Sequence, residues 1–304
     1  MAKVVKSFEH GAWVKVMRET HQDEIFRQPL IKTLEQHFQA KVVVFFTSFN
    51  REDGMIRDVD AEMLESILSA EPASGKILLI INSPGGLGLA AERIVNTCRA
   101  YSSNQFEVLV PHMAKSAATM ICFGAMKIHM SKTAELGPVD PQVNFLGSEN
   151  KEDKEDKEIW ISAEEYIRSY DSLIKSASGG KTKRLEPFIQ QLERFDARFV
   201  EHLRSLQMLS EDIAIRLLGS GMMKGKSAQK IRKAIDVFLS QARTRSHGRM
   251  INSTEAMSCG LNIQLLDLGS PVWHNVWELY MRGSWVVNQR CGKIIETSKT
   301  AVRT

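Results

Sequence analysis

Three short apolar runs mark the first half of the chain: KVVVFF (41–46), ILLII (77–81) and FEVLV (106–110), the last broken by one glutamate. Runs of this length without polar alternation predict strands covered on both faces. Between them the apolar spacing changes to threes and fours. DVDAEMLESILSAE places Met63, Leu64, Ile67 and Leu68 on one helical face, and the stretch after Gly86 places Ala90, Ile94, Val95 and Cys98 on another. SAATMICFGA reads as a short apolar helix, and KIHMS and ELGPVDPQV complete the series. Strands alternating with helices predict an α/β core over 41–147 with a mainly parallel sheet and flanking helices. Ahead of it, residues 1–40 form an N-terminal helical segment, with QPLIKTLEQHF its clearest part.

After Gly147 the pattern changes. SENKEDKEDKEIW is a dense mixed-charge stretch that reads as a solvated loop or a helix start, and SGGKTKR is a second break. From Glu186 one long helix is predicted, with Phe188, Leu192, Phe195, Phe199, Leu203 and Leu206 along a seam that needs a partner. A further helix is predicted over 227–245, with Ile231, Ile235 and Phe238 together. Residues 148–245 are thus a charged linker and helical insertion. Residues 246–270 return to the core, carrying a short helix capped by Ser253 or Thr254 and stopped by Gly260. Residues 271–304 read as a loosely held tail.

Composition narrows the class. Hydrophobic residues are 43%, charged residues 25% and the net charge +4, with both signs interspersed, so no nucleic-acid surface is indicated. The four cysteines show no CxxC spacing, and Cys98 and Cys122 lie in apolar runs as buried thiols, which fits a reducing compartment. No signal-peptide pattern opens the chain, and the apolar runs fall far short of the ~18 residues of a spanning helix. The expectation is a cytoplasmic protein with no membrane span, no metal and no cofactor.

The candidate chemistry begins at Asn82-Ser83-Pro84-Gly85-Gly86, where a strand runs through glycines into a helix. Gly86-x-Gly88-x-x-Ala91 matches a dinucleotide fingerprint. However, four residues separate the strand from its first glycine, and the next strand has its acidic residue, Glu107, at the wrong end. An oxyanion hole fits better: glycine N–H groups can face a reacting carbonyl with no Cβ in the way. A nucleophile must then stand about 3 Å from the same carbonyl. In a parallel sheet the next strand-to-helix turn lies at the same edge, and there Ser116 sits among Ala114, Ala117 and Ala118. From the turn alone, Ser116 reads equally as nucleophile or as helix N-cap.

INSPGG, a helix, and about thirty residues to a serine among small residues resemble the Clp protease proteolytic subunits and the SppA signal-peptide peptidases. MAKSAATMICFGAMKIHMSKTAELGPVDPQV is closer to the serine dehydrogenase proteinase family, which shares that Clp/crotonase-type fold, and HGRMINSTEAMSCGLNI resembles the family segment after the insertion. The similarity covers about 40–145 and 246–266. It implies a serine peptidase with Ser116 as nucleophile, the N–H groups of Gly86 and Ala117 as oxyanion hole, and Gly85 shaping the turn. It further implies peptide or protein substrates and a homo-oligomer assembled through the helical insertion, with an unfoldase or membrane partner left unnamed.

The general base departs from the pattern. No histidine stands on ELGPVDPQV, where Clp subunits carry theirs, and His129 reads as a satisfied core or surface residue. The SppA-type lysine has a loose counterpart in SGGKTKR, which selects Lys183 with Lys181 beside it. His247, at the start of the return segment, is the third candidate, with a suitable ordinary pKa. His112 and Lys115 are weaker, and Asp140 between two prolines reads as a turn former. Two rivals remain: a catalytically silent Clp-fold scaffold, and a crotonase-like enzyme holding an acyl-CoA enolate.

Overall fold

The computed structural model describes residues 24–73, 75–147, 157–178, 186–240, 246 and 248–304. Strands β1 (Lys41–Thr47), β2 (Ile77–Asn82), β3 (Phe106–Val110), β5 (Lys127–Met130), β10 (Ile263–Leu265), β11 (Lys293–Glu296) and β12 (Ala301–Arg303) form one seven-stranded sheet, ordered β10-β5-β3-β2-β1-β11-β12. The five strands from β10 to β1 are parallel, and β11 and β12 add antiparallel. This is the expected mainly parallel α/β architecture.

The topology explains why both faces must be covered. Chain order β1, β2, β3, β5 runs steadily across the sheet, so right-handed crossovers put the three connecting helices on one face. These are α2 (Asp58–Ala70), α3 (Gly88–Tyr101) and α4 (Ala117–Phe123). They pack on Val43, Phe45, Leu79, Ile81, Val108 and Val110. The opposite face, Val42, Val44, Phe46, Leu78, Ile80 and Leu109, is covered by α1 (Glu24–Phe38) and α11 (Pro271–Gln289).

The expected tail is therefore part of the core. Ser270 caps α11 by accepting from the Trp273 N–H at 3.2 Å, Pro271 starts it, and Trp273, Val276, Leu279, Val286 and Val287 are buried at helical spacing. Two buried ion pairs tie this end to the rest: Arg27 with Glu296 at 2.7 Å, and Lys293 with Asp60 at 2.8 Å.

A small second sheet, β4 (Met113–Ala114), β6 (Glu135–Leu136) and β9 (Ile251–Asn252), joins the return segment to the main body. The short helix α10 (Ser253–Ser258) is capped by Asn252, whose Oδ1 accepts from the Glu255 N–H at 2.9 Å, rather than by Ser253 or Thr254. Gly260 comes after it at φ +81°.

In the insertion the charged stretch ends in a strand, not a helix: β7 (Gln142–Gly147) and β8 (Lys157–Ser162) form an antiparallel pair. Next in the chain is α5 (Ala163–Ser178). The predicted long helix is two, α6 (Glu186–Leu192) and α7 (Ala197–Gly219). Asp196 starts the second by accepting from the Arg198 N–H at 2.8 Å, a cap that outweighs the continuous apolar seam. Beyond it, α8 (Ala228–Ala234) and α9 (Asp236–Leu239) bring Phe238 edge-on against Phe123, with ring centroids 5.1 Å apart.

Candidate active site

The glycine turn and Ser116 meet at the carboxyl edge of the parallel strands, and a register of short hydrogen bonds brings them together. The Asn82 side chain accepts from the Met113 N–H at 3.0 Å. Ser83 then bridges to Ala114 in parallel, its N–H donating to the Met113 carbonyl at 3.1 Å and its carbonyl accepting from the Lys115 N–H at 3.0 Å. Two residues later on one chain and one to two on the other, Gly85 lies against Ser116. A Cβ at Gly85 would stand 2.7 Å from the Ser116 Cβ and 2.9 Å from the Ala117 nitrogen, and Gly85 itself holds φ +104°. No other residue fits there. Gly86 is required by a different neighbour, since its Cβ would lie 2.4 Å from the backbone of Ile56.

Ser116 has φ +48° and ψ −120°, a left-handed conformation for a residue with a side chain. Such a conformation costs on the order of 1–3 kcal/mol and persists only where surrounding bonds impose it. Here they do. The Ser116 N–H donates to the Pro138 carbonyl at 3.2 Å, and its carbonyl accepts from the Met120 N–H at 3.1 Å. The Thr119 hydroxyl bridges the Ala114 carbonyl (2.7 Å) and the Gly137 N–H (3.1 Å), locking α4 to both small strands. Ser116 precedes α4 but its side chain makes no capping bond, so the N-cap reading does not describe this serine. The residue is partly exposed, with Ala117 buried behind it. Among the described residues no hydrogen bond is formed by the Ser116 Oγ, the Gly86 N–H or the Ala117 N–H. A hydroxyl and two free N–H groups beside one turn can attack a carbonyl and hold its oxygen.

The candidate bases fare differently. Lys183 and His247 lie outside the described residues, as does Lys181. His129 is bonded through Nε2 to Glu107 at 2.7 Å and packs edge-on against Phe38, a buried residue held within the core with its Nδ1 unpartnered. That bond holds the Glu107 carboxyl below its usual range. Lys115 lies across Gly137 and pairs with Glu135. His112 Nδ1 shares a 3.0 Å hydrogen bond with the Tyr280 hydroxyl, beside Trp277, and burial lowers its pKa. Asp140 is buried. Gly88, the third glycine of the turn, is the first residue of α3. No cluster of His, Cys, Asp or Glu able to hold a metal occurs among the described residues.

Against known proteins, residues 22–158 match the family described as ClpP-like SDH-type serine proteinase. The likeness takes in 137 of the 304 residues, the α/β core alone. The match takes in β1 to β7, and with them the glycine turn and Ser116. Two uncharacterized proteins of Methanocaldococcus jannaschii are similar over 84 residues, at 44% and 38% identity. Each match covers 28% of this chain and 29% or 28% of the relative, so the chain spans less than a third of the curated relatives it matches. The matched family is described as one of serine proteinases. Neither relative's description names an activity.

Proposed function

We propose that the protein is a serine peptidase in which Ser116 Oγ attacks the substrate carbonyl and the Gly86 and Ala117 N–H groups hold the oxyanion. The observation that carries this reading is the strained Ser116 backbone, with a side chain that neither caps the helix nor bonds elsewhere, beside Gly85. A silent scaffold would have no use for that strain, and an enolate-holding enzyme would have no use for a nucleophile at this turn. A serine hydroxyl needs a base to take its proton. His247 is the preferred one. It lies four residues before Ile251, and β9 pairs with β6, which pairs with the β4 residues leading into Ser116. Lys183, between α5 and α6, is the alternative.

Peptides are the proposed substrates, and the active form is proposed to be a homo-oligomer joined through the insertion. Its Trp160, Ile189 and Met208 are exposed by half or more, surface that assembly would cover. Among the described residues no helix is long and apolar enough to cross a membrane.

Labelling with a fluorophosphonate, followed by peptide mapping, tests the assignment. The label is expected on Ser116 and is lost in Ser116→Ala, together with peptide or ester hydrolysis. Hydrolysis unchanged in Ser116→Ala overturns it. His247→Ala and Lys183→Ala then divide the two bases, the correct one suppressing labelling by on the order of a hundredfold or more.

A further inference from the structure

The oxyanion reading requires the Gly86 N–H to point at the reacting carbonyl, and one hydrogen bond governs its direction. A trans peptide is planar with its C=O and N–H opposed, and the described chain has no cis bond. Whatever holds the Gly85 carbonyl therefore aims the Gly86 N–H. That carbonyl accepts from the Ile56 N–H at 2.8 Å, while the Ile56 carbonyl accepts from the Leu87 N–H at 2.9 Å. Ile56 is thus a one-residue strand beside the turn, and the Gly86 N–H points away from it.

The start of α2 holds Ile56 in turn. Arg57 precedes that helix, and its N–H donates to Asp60 Oδ2 at 2.7 Å. Asp60 is fully buried, and both of its oxygens receive the Lys293 Nζ, at 2.9 and 2.8 Å. Lys293 belongs to β11, in register with Thr47 of β1, and its neighbour Gly292 accepts from the Ser48 N–H at 2.8 Å. A continuous series of bonds therefore runs from β11 through Asp60, Arg57 and Ile56 to the peptide that carries the oxyanion donor.

We propose that Asp60 and Lys293 are positioning residues for the Gly86 N–H, which makes β11 part of the active-site machinery. The proposal rests on the serine-peptidase reading of Ser116. Bulk stability alone is a weak reason for such a pair, because well-packed apolar residues often replace a buried ion pair without loss. What apolar residues cannot supply is an acceptor for the Arg57 N–H. Lys293 fixes the carboxylate that provides it.

The test compares two charge-free pairs. Asp60→Leu with Lys293→Met removes the acceptor, and Asp60→Asn with Lys293→Met keeps an oxygen for Arg57. Fluorophosphonate labelling of Ser116 is measured against probe concentration, and amide hydrogen exchange is measured over residues 83–89. With the acceptor gone, the labelling rate at saturation is expected to fall on the order of tenfold, with the half-saturating concentration unchanged. Exchange over 85–88 accelerates while β2 and β3 stay protected. The asparagine pair is expected to recover most of both. Equal losses in the two pairs, or wild-type labelling and exchange in both, overturn the proposal. If the wild-type protein takes no label at Ser116, the peptidase reading fails by itself and the exchange comparison still decides the coupling: faster exchange confined to the leucine pair upholds it, and equal exchange removes it. If the leucine pair does not fold, Asp60→Ala with Lys293→Ala takes its place and the same criteria apply.

Discussion

Gly85→Ala tests the site at its tightest point. At φ +104° an alanine adopts a left-handed backbone, which costs about 1–2 kcal/mol. Its methyl group would also stand 2.6 Å from the Lys115 carbonyl oxygen, 2.7 Å from the Ser116 Cβ and 2.9 Å from the Ala117 nitrogen. All three atoms belong to the backbone or its first side-chain carbon, so none can swing aside, and overpacking of this kind costs about 1–3 kcal/mol. The two effects together predict a loss of about 2–5 kcal/mol, or a fall in Tm on the order of 5–15 °C for a chain of this size. Two controls separate them. Gly225 holds φ +87° with open space around it, so Gly225→Ala carries the backbone cost alone. Gly75 has open space and no left-handed φ, so Gly75→Ala is expected to be neutral. Calorimetric melting of the three variants measures the difference. The clash is relieved only by moving Ser116 and Ala117, so fluorophosphonate labelling of Gly85→Ala, read well below its Tm, is expected to fall further than the fraction unfolded explains. Gly85→Ala melting within about 2 °C of Gly225→Ala, with wild-type labelling, would mean that the methyl is accommodated and that the proposed contact between turn and serine is wrong.

The packing around the site sets three further outcomes. Removing one partner of the fully buried Arg27–Glu296 pair strands the other charge, so Arg27→Met is expected to cost about 3–5 kcal/mol in urea unfolding, and adding Glu296→Met to recover most of it; a double variant no better than the single one contradicts this. His112 has its pKa lowered from 6.5 by burial, so it folds preferentially neutral: its contribution is complete above about pH 6.5 and is lost as pH falls through the folded-state value. The urea midpoint should therefore drop between about pH 7.5 and 5.5 in the wild type and drop less in His112→Gln, and parallel curves would reject the assignment. Phe238→Ala empties a fully buried position against Phe123 and should cost about 3–5 kcal/mol by melting, whereas a loss below about 1 kcal/mol would show that the end of the insertion does not pack on α4.

How much of the fold and the site was legible depended on whether the signal was local. The apolar runs 41–46 and 77–81 read as strands because nearly every residue in them is buried, leaving no alternation to confuse with a helix. The glycine turn read as an oxyanion wall because Gly85 and Gly86 each answer to a close backbone neighbour, and glycine pairs record such crowding directly in the sequence. Ser116 stood out by its small neighbours. Its left-handed backbone did not, because that is imposed by Pro138, Met120 and the Ala114–Ser83 bridge, which are distant or non-repeating in sequence. The split at Asp196 went unread for the opposite reason: the apolar seam continues across it, and only one polar cap marks the break.

The C-terminal segment reads as a tail in the sequence although the topology demands it. Strands apolar on both faces require two covering layers, and three consecutive right-handed crossovers can supply only one. The second had to come from segments outside those crossovers. Trp273, Val276, Leu279, Val286 and Val287, preceded by Ser270-Pro271, give a capped helix with a buried stripe, a local signal strong enough to be found once a second layer is required. Lys293 and Asp60 could not be found that way. They are 233 residues apart, each looks like a surface charge in its own stretch, and only the antiparallel addition of β11 to β1 brings them together. A buried charge pair therefore has no local sequence signature, whereas a glycine forced by crowding has one. For that reason the groups proposed to touch the substrate at this turn are easier to read from sequence than the groups that aim them.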